Sequence, residues 1–86
     1  ICMDIKILKD MDLKEYSTWP IWTCKPSIFD WEYKEEEHCY VLEGSVEVVG
    51  AENTVHIQAG DYVIFPKGLQ CTWKVKKAIK KHYTFK

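Results

Sequence analysis

The sequence has 86 residues, which is enough for one small domain but not for two. Hydrophobic residues make up 47% of it, aromatic residues 14% and charged residues 29%, so the chain is expected to form a packed core and not to be disordered. The formal net charge is -1 and every basic residue is lysine, which argues against nucleic-acid binding.

The first predicted element is one helical turn at residues 12–16, where Asp12 and Glu15 have the spacing of a capping box. The rest of the chain predicts short strands separated by glycine- and proline-containing turns. The predicted strands are 18–24, 28–33, 38–42, 45–49, 54–57, 62–65, 70–75 and 79–85. The turns between them include Glu43-Gly44, residues 50–53, residues 59–61 and residues 66–68. This pattern indicates an all-β sandwich or barrel.

Alternation along the predicted strands assigns side chains to two faces. The side chains predicted to point inward are Val46, Val48, Val55, Ile57, Val63, Phe65, Cys71, Trp73 and Val75. Glu47 and His56 are predicted to point outward. All three histidines, His38, His56 and His82, fall on the face away from the interior, so a cysteine–histidine dyad has little support.

No stretch approaches the roughly 18 apolar residues of a membrane span, and residues 1–10 do not form the apolar core of a signal peptide. The four cysteines include no C-x-x-C pair and are expected to be reduced thiols. We therefore expect a soluble intracellular protein, cytoplasmic or organellar. The first residue is Ile1 and not methionine, which leaves a removed targeting segment open.

Two spaced motifs resemble the signature motifs of the cupin superfamily. The first runs from Glu37 through six residues to Gly44, and the second from Gly60 through five residues to the Pro66-Lys67-Gly68 turn. The resemblance covers residues 19–85 and implies one domain, 1–86, with a small RmlC-like jelly-roll β-barrel and at most one N-terminal helical turn. Glycine at these positions suits turns that need positive φ.

Three aromatic segments are most similar to the small single-domain group that resembles the ureidoglycine aminohydrolase cupin domain. These segments are Trp19-Pro20-Ile21-Trp22, Phe29-Asp30-Trp31 and Lys81-His82-Tyr83. This finer resemblance implies an enzyme that acts on a small nitrogenous metabolite with a metal held inside the barrel.

The metal ligands of the superfamily are largely replaced in this sequence. The family motif places two histidines before the glutamate and a third after the P-x-G turn. The two places before the glutamate hold Trp31 and Tyr33 if three residues separate the second place from Glu37, or Asp30 and Glu32 if four residues do. The place after the turn holds Cys71, and only Glu37 keeps its family identity. We therefore expect no cofactor, because tryptophan cannot ligate a metal. A divalent metal held by Glu37 and Cys71 is the alternative.

The predicted pocket has an aromatic and thiol lining. Its candidate residues are Trp31, Tyr33, Glu37, Cys39, Cys71, Trp73 and Lys81. Lys81 either pairs with a buried Glu37 or extends past the barrel rim to water, and the second reading is favoured. Cys39 and Cys71 are a redox pair, a catalytic thiol with Glu37 as base, or inert core thiols, and the last is favoured.

These residues support three classes of function. The first is a pocket that binds an unidentified small molecule by stacking on Trp31, Tyr33 and Trp73 and by hydrogen bonding to Glu37. The second is a divergent metal- or thiol-dependent hydrolase related to ureidoglycine aminohydrolase, with Glu37 as ligand or base and Cys71 as ligand or nucleophile. The third is a subunit that docks through a sheet edge, in its mildest form a homodimer. Whether the protein is an enzyme is left open, since the same rings also suit a barrel core.

Overall fold

Seven antiparallel strands and one short helix form the described part of the chain, residues 4–9 and 14–86 of a computed structural model. The strands are β1 (Lys6–Leu8), β2 (Ile21–Cys24), β3 (Ser27–Glu32), β4 (Glu37–Val49), β5 (Thr54–Gln58), β6 (Tyr62–Phe65) and β7 (Gln70–Phe85). A 3₁₀ helix, Lys14–Thr18, precedes β2. The all-β fold predicted from the sequence is confirmed, and within the described residues no helix is long and apolar enough to cross a membrane.

The two longest strands, β4 and β7, lie side by side and pair from Glu37↔Phe85 to Val49↔Thr72. The first half of β4 also pairs with β6, and its second half with β5. The second half of β7 pairs with β2, and its first half with β3. The sheet therefore has two halves that share β4 and β7. The β3/β5 half contains β3, β7, β4 and β5, and the β1/β2 half contains β2, β7, β4, β6 and β1. This arrangement fits a small jelly-roll barrel.

The pairing of the two shared strands is irregular at the level of Gly44. The β4–β7 register shifts three times between Val41 and Val46, as in a β-bulge. Gly44 has φ 93°, and a Cβ built on it would lie 2.2 Å from the backbone oxygen of Ala78. The predicted turn at Glu43-Gly44 is therefore wrong, because this glycine lies within a continuous strand.

Two further corrections follow from the strand bounds. Predicted strands 38–42 and 45–49 form the single strand β4, and 70–75 and 79–85 form the single strand β7. β1 was not predicted, since its three residues gain a strand conformation from pairing with β6. The predicted helical turn corresponds to the 3₁₀ helix, and its proposed cap, Asp12, lies outside the described residues.

The core lies between the two halves of the sheet, where the predicted inward side chains meet. Val48, Val63 and Phe65 are fully buried, and the Phe65 ring stacks on Tyr33 with the ring centroids 4.7 Å apart. Val55 is the exception, because it lies on the short strand β5 and is only partly buried. Predicted face assignments are thus largely confirmed, as expected when side chains alternate along a strand.

Candidate functional site

The two halves of the sheet leave an open cavity of about 250 Å³ between them. Apart from one glutamate and one lysine, its lining is entirely aromatic. The lining residues are Trp22, Phe29, Trp31, Tyr33, Glu37, Trp73, Lys81, Tyr83 and Phe85. The volume is slightly below the usual range for ligand pockets, so the cavity suits a small molecule of one or two rings.

β7 and β4 place the charged pair inside this cavity. Lys81 and Tyr83 are two residues apart on β7 and therefore point to the same face. Glu37 begins β4 and lies opposite Phe85, two residues further along the same face of β7. The Lys81 ammonium donates a hydrogen bond to Oε2 of Glu37, with 2.6 Å between the two atoms.

Lys81 and Glu37 form a buried ion pair, and the favoured reading of Lys81 as a rim residue is wrong. Their side chains are only 5% and 7% exposed. The ammonium also lies over three rings, at 4.7 Å from the centroid of Trp73, 5.0 Å from Trp22 and 5.7 Å from Phe65. These cation–π contacts compensate part of the cost of removing the ammonium from water. In the described part of the chain, Glu37 makes no hydrogen bond through its other oxygen, Oε1.

The aromatic walls are held in place by contacts with one another. Trp73 stacks on Phe29 with centroids 6.0 Å apart and an interplanar angle of 16°, and Trp22 meets Trp73 edge-on at 5.8 Å. Trp31 is half exposed and meets Tyr33 edge-on at 6.4 Å. Ring pairs with these geometries are favourable, so the walls are arranged before any ligand arrives. Trp31 and the half-exposed Phe85 border the opening.

Tyr33 brings a phenol into the cavity that stays protonated. Burial, and then the nearby charge of Glu37, raise the pKa of Tyr33 far above its usual value. Tyr33 is also fixed by its backbone, which donates to the Leu69 oxygen and accepts from the Gly68 amide. It therefore contributes a ring wall and a neutral hydroxyl.

The cavity is not lined by Cys39 or Cys71, contrary to the sequence prediction. Both side chains belong to the buried core, and Cys71 borders a separate surface groove with Asp30 and Thr72. Strand alternation gives the face of a side chain but does not show whether it reaches the cavity. Burial raises the pKa of Cys39 to about 12 and that of Cys71 to about 11, and both thiols are free. These properties are those of inert core thiols.

Four lining residues were not among the predicted candidates: Trp22, Phe29, Tyr83 and Phe85. Alternation carries a signal for three of them, because Phe29 shares a face with Trp31, and Tyr83 and Phe85 share one with Lys81. Trp22 lines the cavity because β2 pairs with β7, which places Trp22 opposite Lys81. No local sequence pattern specifies that pairing.

The residues at the family's metal positions do not fit a metal ion. Trp31 and Tyr33 line the cavity as rings, and Asp30 accepts a hydrogen bond from Thr72 on the sheet surface. Glu37 is already bound by the Lys81 ammonium. Among the described residues no group of three or more His, Cys, Asp or Glu side chains is placed to hold a metal.

The histidines lie outside the cavity, as predicted. His38 is bonded to the Tyr62 hydroxyl at 2.7 Å and to a Glu36 oxygen at 2.8 Å. His82 is buried on the outer face of the sheet, where its Nδ1 lies 2.9 Å from the Trp19 carbonyl oxygen. His56 is exposed and lies 3.8 Å from Glu47. These contacts give the histidines structural partners and leave the cavity without an imidazole.

Comparison with known proteins gives a family and several structural neighbours. The family described as the EutQ-like cupin domain matches residues 12–83. A DUF861 family protein from Thermotoga maritima is 45% identical, with a TM-score of 0.93 over 96% of this chain and 100% of that chain. The search of curated proteins found no significant match.

Two EutQ proteins are more distant neighbours. The putative ethanolamine utilization protein Q of Salmonella typhimurium is 25% identical, with a TM-score of 0.67 over 73% of this chain and 51% of that chain. The EutQ protein of Clostridium difficile is 21% identical, with a TM-score of 0.69 over 92% of this chain and 64% of that chain. The present chain thus spans about half to two thirds of the length of these proteins. The similarity to the Clostridium difficile protein shows a shared fold only.

Proposed function

The chain belongs to the EutQ-like cupin family, and on this premise we propose that it binds a small planar molecule in the barrel cavity without a metal ion. The single observation that carries the proposal is the Glu37–Lys81 pair, buried at the base of a cavity whose other walls are aromatic. A buried ion pair adds little to stability compared with a well-packed apolar pair. Its position in an open cavity therefore supports a role in binding.

Two kinds of contact are available to such a ligand. The rings of Trp31, Tyr33 and Trp73 line the cavity, and Trp31, which is half exposed, is the most accessible of them for stacking on a ligand. Oε1 of Glu37 accepts no hydrogen bond from the described residues and offers an acceptor for a ligand N–H or O–H group. The pair as a whole is neutral, so an uncharged planar molecule with one polar edge fits better than an ion.

Tryptophan side-chain signals in NMR spectra test this proposal. Trp22, Trp31 and Trp73 line the cavity, whereas Trp19 lies outside it against Tyr62. Titration with indole, benzamide and benzyl alcohol is expected to shift the three cavity indole N–H signals saturably and to leave the Trp19 signal unchanged. Dissociation constants of about a millimolar are expected for fragments of this size.

A pair of exposed substitutions provides the control. Trp31→Ala removes a half-exposed wall, and Ile28→Ala removes a side chain that is 71% exposed and outside the cavity. Trp31→Ala should weaken fragment binding and Ile28→Ala should not. Shifts that are equal at Trp19 and the cavity indoles, or that never saturate, would contradict the proposal.

The alternative prediction, a divergent hydrolase related to ureidoglycine aminohydrolase, has less support. Its thiol form needs a reactive Cys71, whose pKa burial raises to about 11, and its metal form needs ligands that the cavity does not offer. Release of ammonia from ureidoglycine that is lost in Glu37→Gln would favour this alternative. No release with or without added manganese would leave binding as the proposed role.

A further inference from the structure

We propose that Lys81 captures a small aromatic aldehyde as an imine, a covalent extension that rests on the ligand-binding role proposed above. An amine inside a mostly apolar cavity with one carboxylate beside it has the parts that imine formation requires. The aldehyde supplies the carbonyl, Lys81 the nitrogen and Glu37 the site that holds and returns a proton.

Lys81 differs from the other lysines of the chain in its surroundings. It is the one buried lysine in the described ranges, with 5% of its side chain exposed, against 42% for Lys80 and 80% for Lys34. Lys81 lines the cavity, so a ligand seated there lies against its side chain. An aldehyde held by the rings would meet this amine at a high effective concentration.

Glu37 balances the proton transfers of the reaction. The 2.6 Å hydrogen bond lets its carboxylate accept one proton from the ammonium, which leaves a neutral amine. The nitrogen lone pair forms a bond to the aldehyde carbon, and a proton moves from that nitrogen to the former carbonyl oxygen to give a neutral carbinolamine. Glu37 then returns its proton to the hydroxyl group, the C–O bond breaks and water leaves. Ammonium and aldehyde have become a protonated imine and water, with no net change in charge or oxidation state.

The cavity stabilises the product for the same reasons that it holds Lys81. The protonated imine carries its positive charge at the same nitrogen, so it keeps the Glu37 ion pair and the ring contacts with Trp22, Phe65 and Trp73. Its planar substituent lies among aromatic walls. The apolar lining also disfavours the return of the water that hydrolysis needs. An aromatic aldehyde with a single ring matches the volume of about 250 Å³.

Reductive trapping of the wild-type protein tests this inference. The protein is treated with benzaldehyde and cyanoborohydride at neutral pH, and benzylation of each lysine is followed by peptide mass spectrometry. Lys80, on the same strand and 42% exposed, is the internal control. Lys81 is expected to react at least roughly tenfold faster than Lys80 because the cavity concentrates the aldehyde beside it. Benzyl alcohol, which cannot form an imine, should compete and slow the reaction of Lys81 only.

Two variant proteins and the benzyl alcohol titration determine how each outcome is interpreted. Lys81→Arg keeps a cation beside Glu37 but cannot form an imine, and it should leave the labelling of Lys80 unchanged. Glu37→Gln removes the proton acceptor and should slow labelling of residue 81 selectively. Labelling of Lys81 no faster than that of Lys80 would overturn the inference. If benzyl alcohol nevertheless shifts the cavity indole signals, the binding role stands, whereas absence of both effects contradicts the two proposals together.

Discussion

Lys81 and Glu37 depend on each other because each is surrounded mainly by groups that carry no charge. The three rings around the Lys81 ammonium provide partial compensation, and Glu37 supplies the only opposite charge within hydrogen-bond reach in the described part of the chain. A buried charge that loses its partner keeps its desolvation cost. Single substitutions should therefore cost more than removal of both charges.

A double-mutant cycle measures this dependence. Glu37→Gln and Lys81→Met should each lower the free energy of unfolding by about 3 to 5 kcal/mol, because each leaves one buried charge without its partner. The double variant should lose much less than the sum. Denaturant unfolding of the four proteins gives the coupling energy, and additivity within about 0.5 kcal/mol would show that the two residues are independent.

The buried thiols predict an alkaline loss of stability. Burial raises the pKa of Cys39 to about 12 and that of Cys71 to about 11, whereas the pKa of a thiol in an unfolded chain is about 8.5. Above the unfolded value the unfolded chain releases protons that the folded chain keeps, so the free energy of unfolding falls as pH rises. The full contribution is present below the unfolded pKa and is lost as pH rises through the folded values. The expected loss is about 1.4 kcal/mol per pH unit for each thiol.

Unfolding at several pH values checks this expectation. Between about pH 8.5 and 10 the slope should be shallower in Cys39→Ala/Cys71→Ala than in the wild type, because the variant lacks both groups. Identical slopes would show that the thiols ionise equally in the folded and unfolded chains. Native Cys39 should also resist alkylation at neutral pH until the protein is unfolded.

At the scale of elements, local patterns predicted faces well and strand boundaries poorly. Alternation placed Val48, Phe65 and Trp73 in the core because the side-chain period of a strand is a local property. It could not show that Gly44 lies inside a strand, since that position is determined by the backbone of Ala78 on a partner far along the chain. The same limit explains why Lys81 was misplaced, because its burial depends on rings from β2 and β6.

Alanine substitutions at two glycines with the same backbone conformation distinguish the cost of a positive φ from the cost of a steric overlap. Gly44 and Gly60 have φ values of 93° and 94°, but a Cβ at Gly44 would overlap Ala78, while one at Gly60 would meet nothing within 4 Å. Gly60→Ala should cost about 1 kcal/mol, and Gly44→Ala clearly more, about 3 kcal/mol or above, since the neighbour is backbone and cannot rotate away. Denaturant unfolding measures both, and equal losses would indicate that the backbone at Gly44 adjusts freely.

At the scale of the whole molecule, the two halves of the sheet cannot separate without breaking shared strands. β4 and β7 each contribute residues to both halves, and the molecule measures only 32 × 29 × 21 Å. β4 pairs with β5 and β6, and β7 pairs with β2 and β3, so a break in either strand removes partners from both halves of the sheet. We therefore expect the cavity between the halves to be lost only when the sheet itself unfolds.

We predict that the cavity and the sheet unfold together in one cooperative transition. Tryptophan fluorescence, which reports on the cavity, and far-ultraviolet circular dichroism, which reports on the sheet, should give coincident denaturation curves with one midpoint. An earlier fluorescence transition would show that the cavity opens before the sheet unfolds. Trp19, outside the cavity, can be replaced by Phe so that the signal comes from Trp22, Trp31 and Trp73.

The position of β7 in the chain has a consequence during protein synthesis. Its residues, Gln70–Phe85, pair with β2, β3 and β4, so each half of the sheet lacks a central strand until this segment is available. A nascent chain therefore emerges from the ribosome with most of its strands made and their apolar faces uncovered. The sheet can therefore close only after Phe85 has left the exit tunnel, and until then the strands that pair with β7 lack that partner.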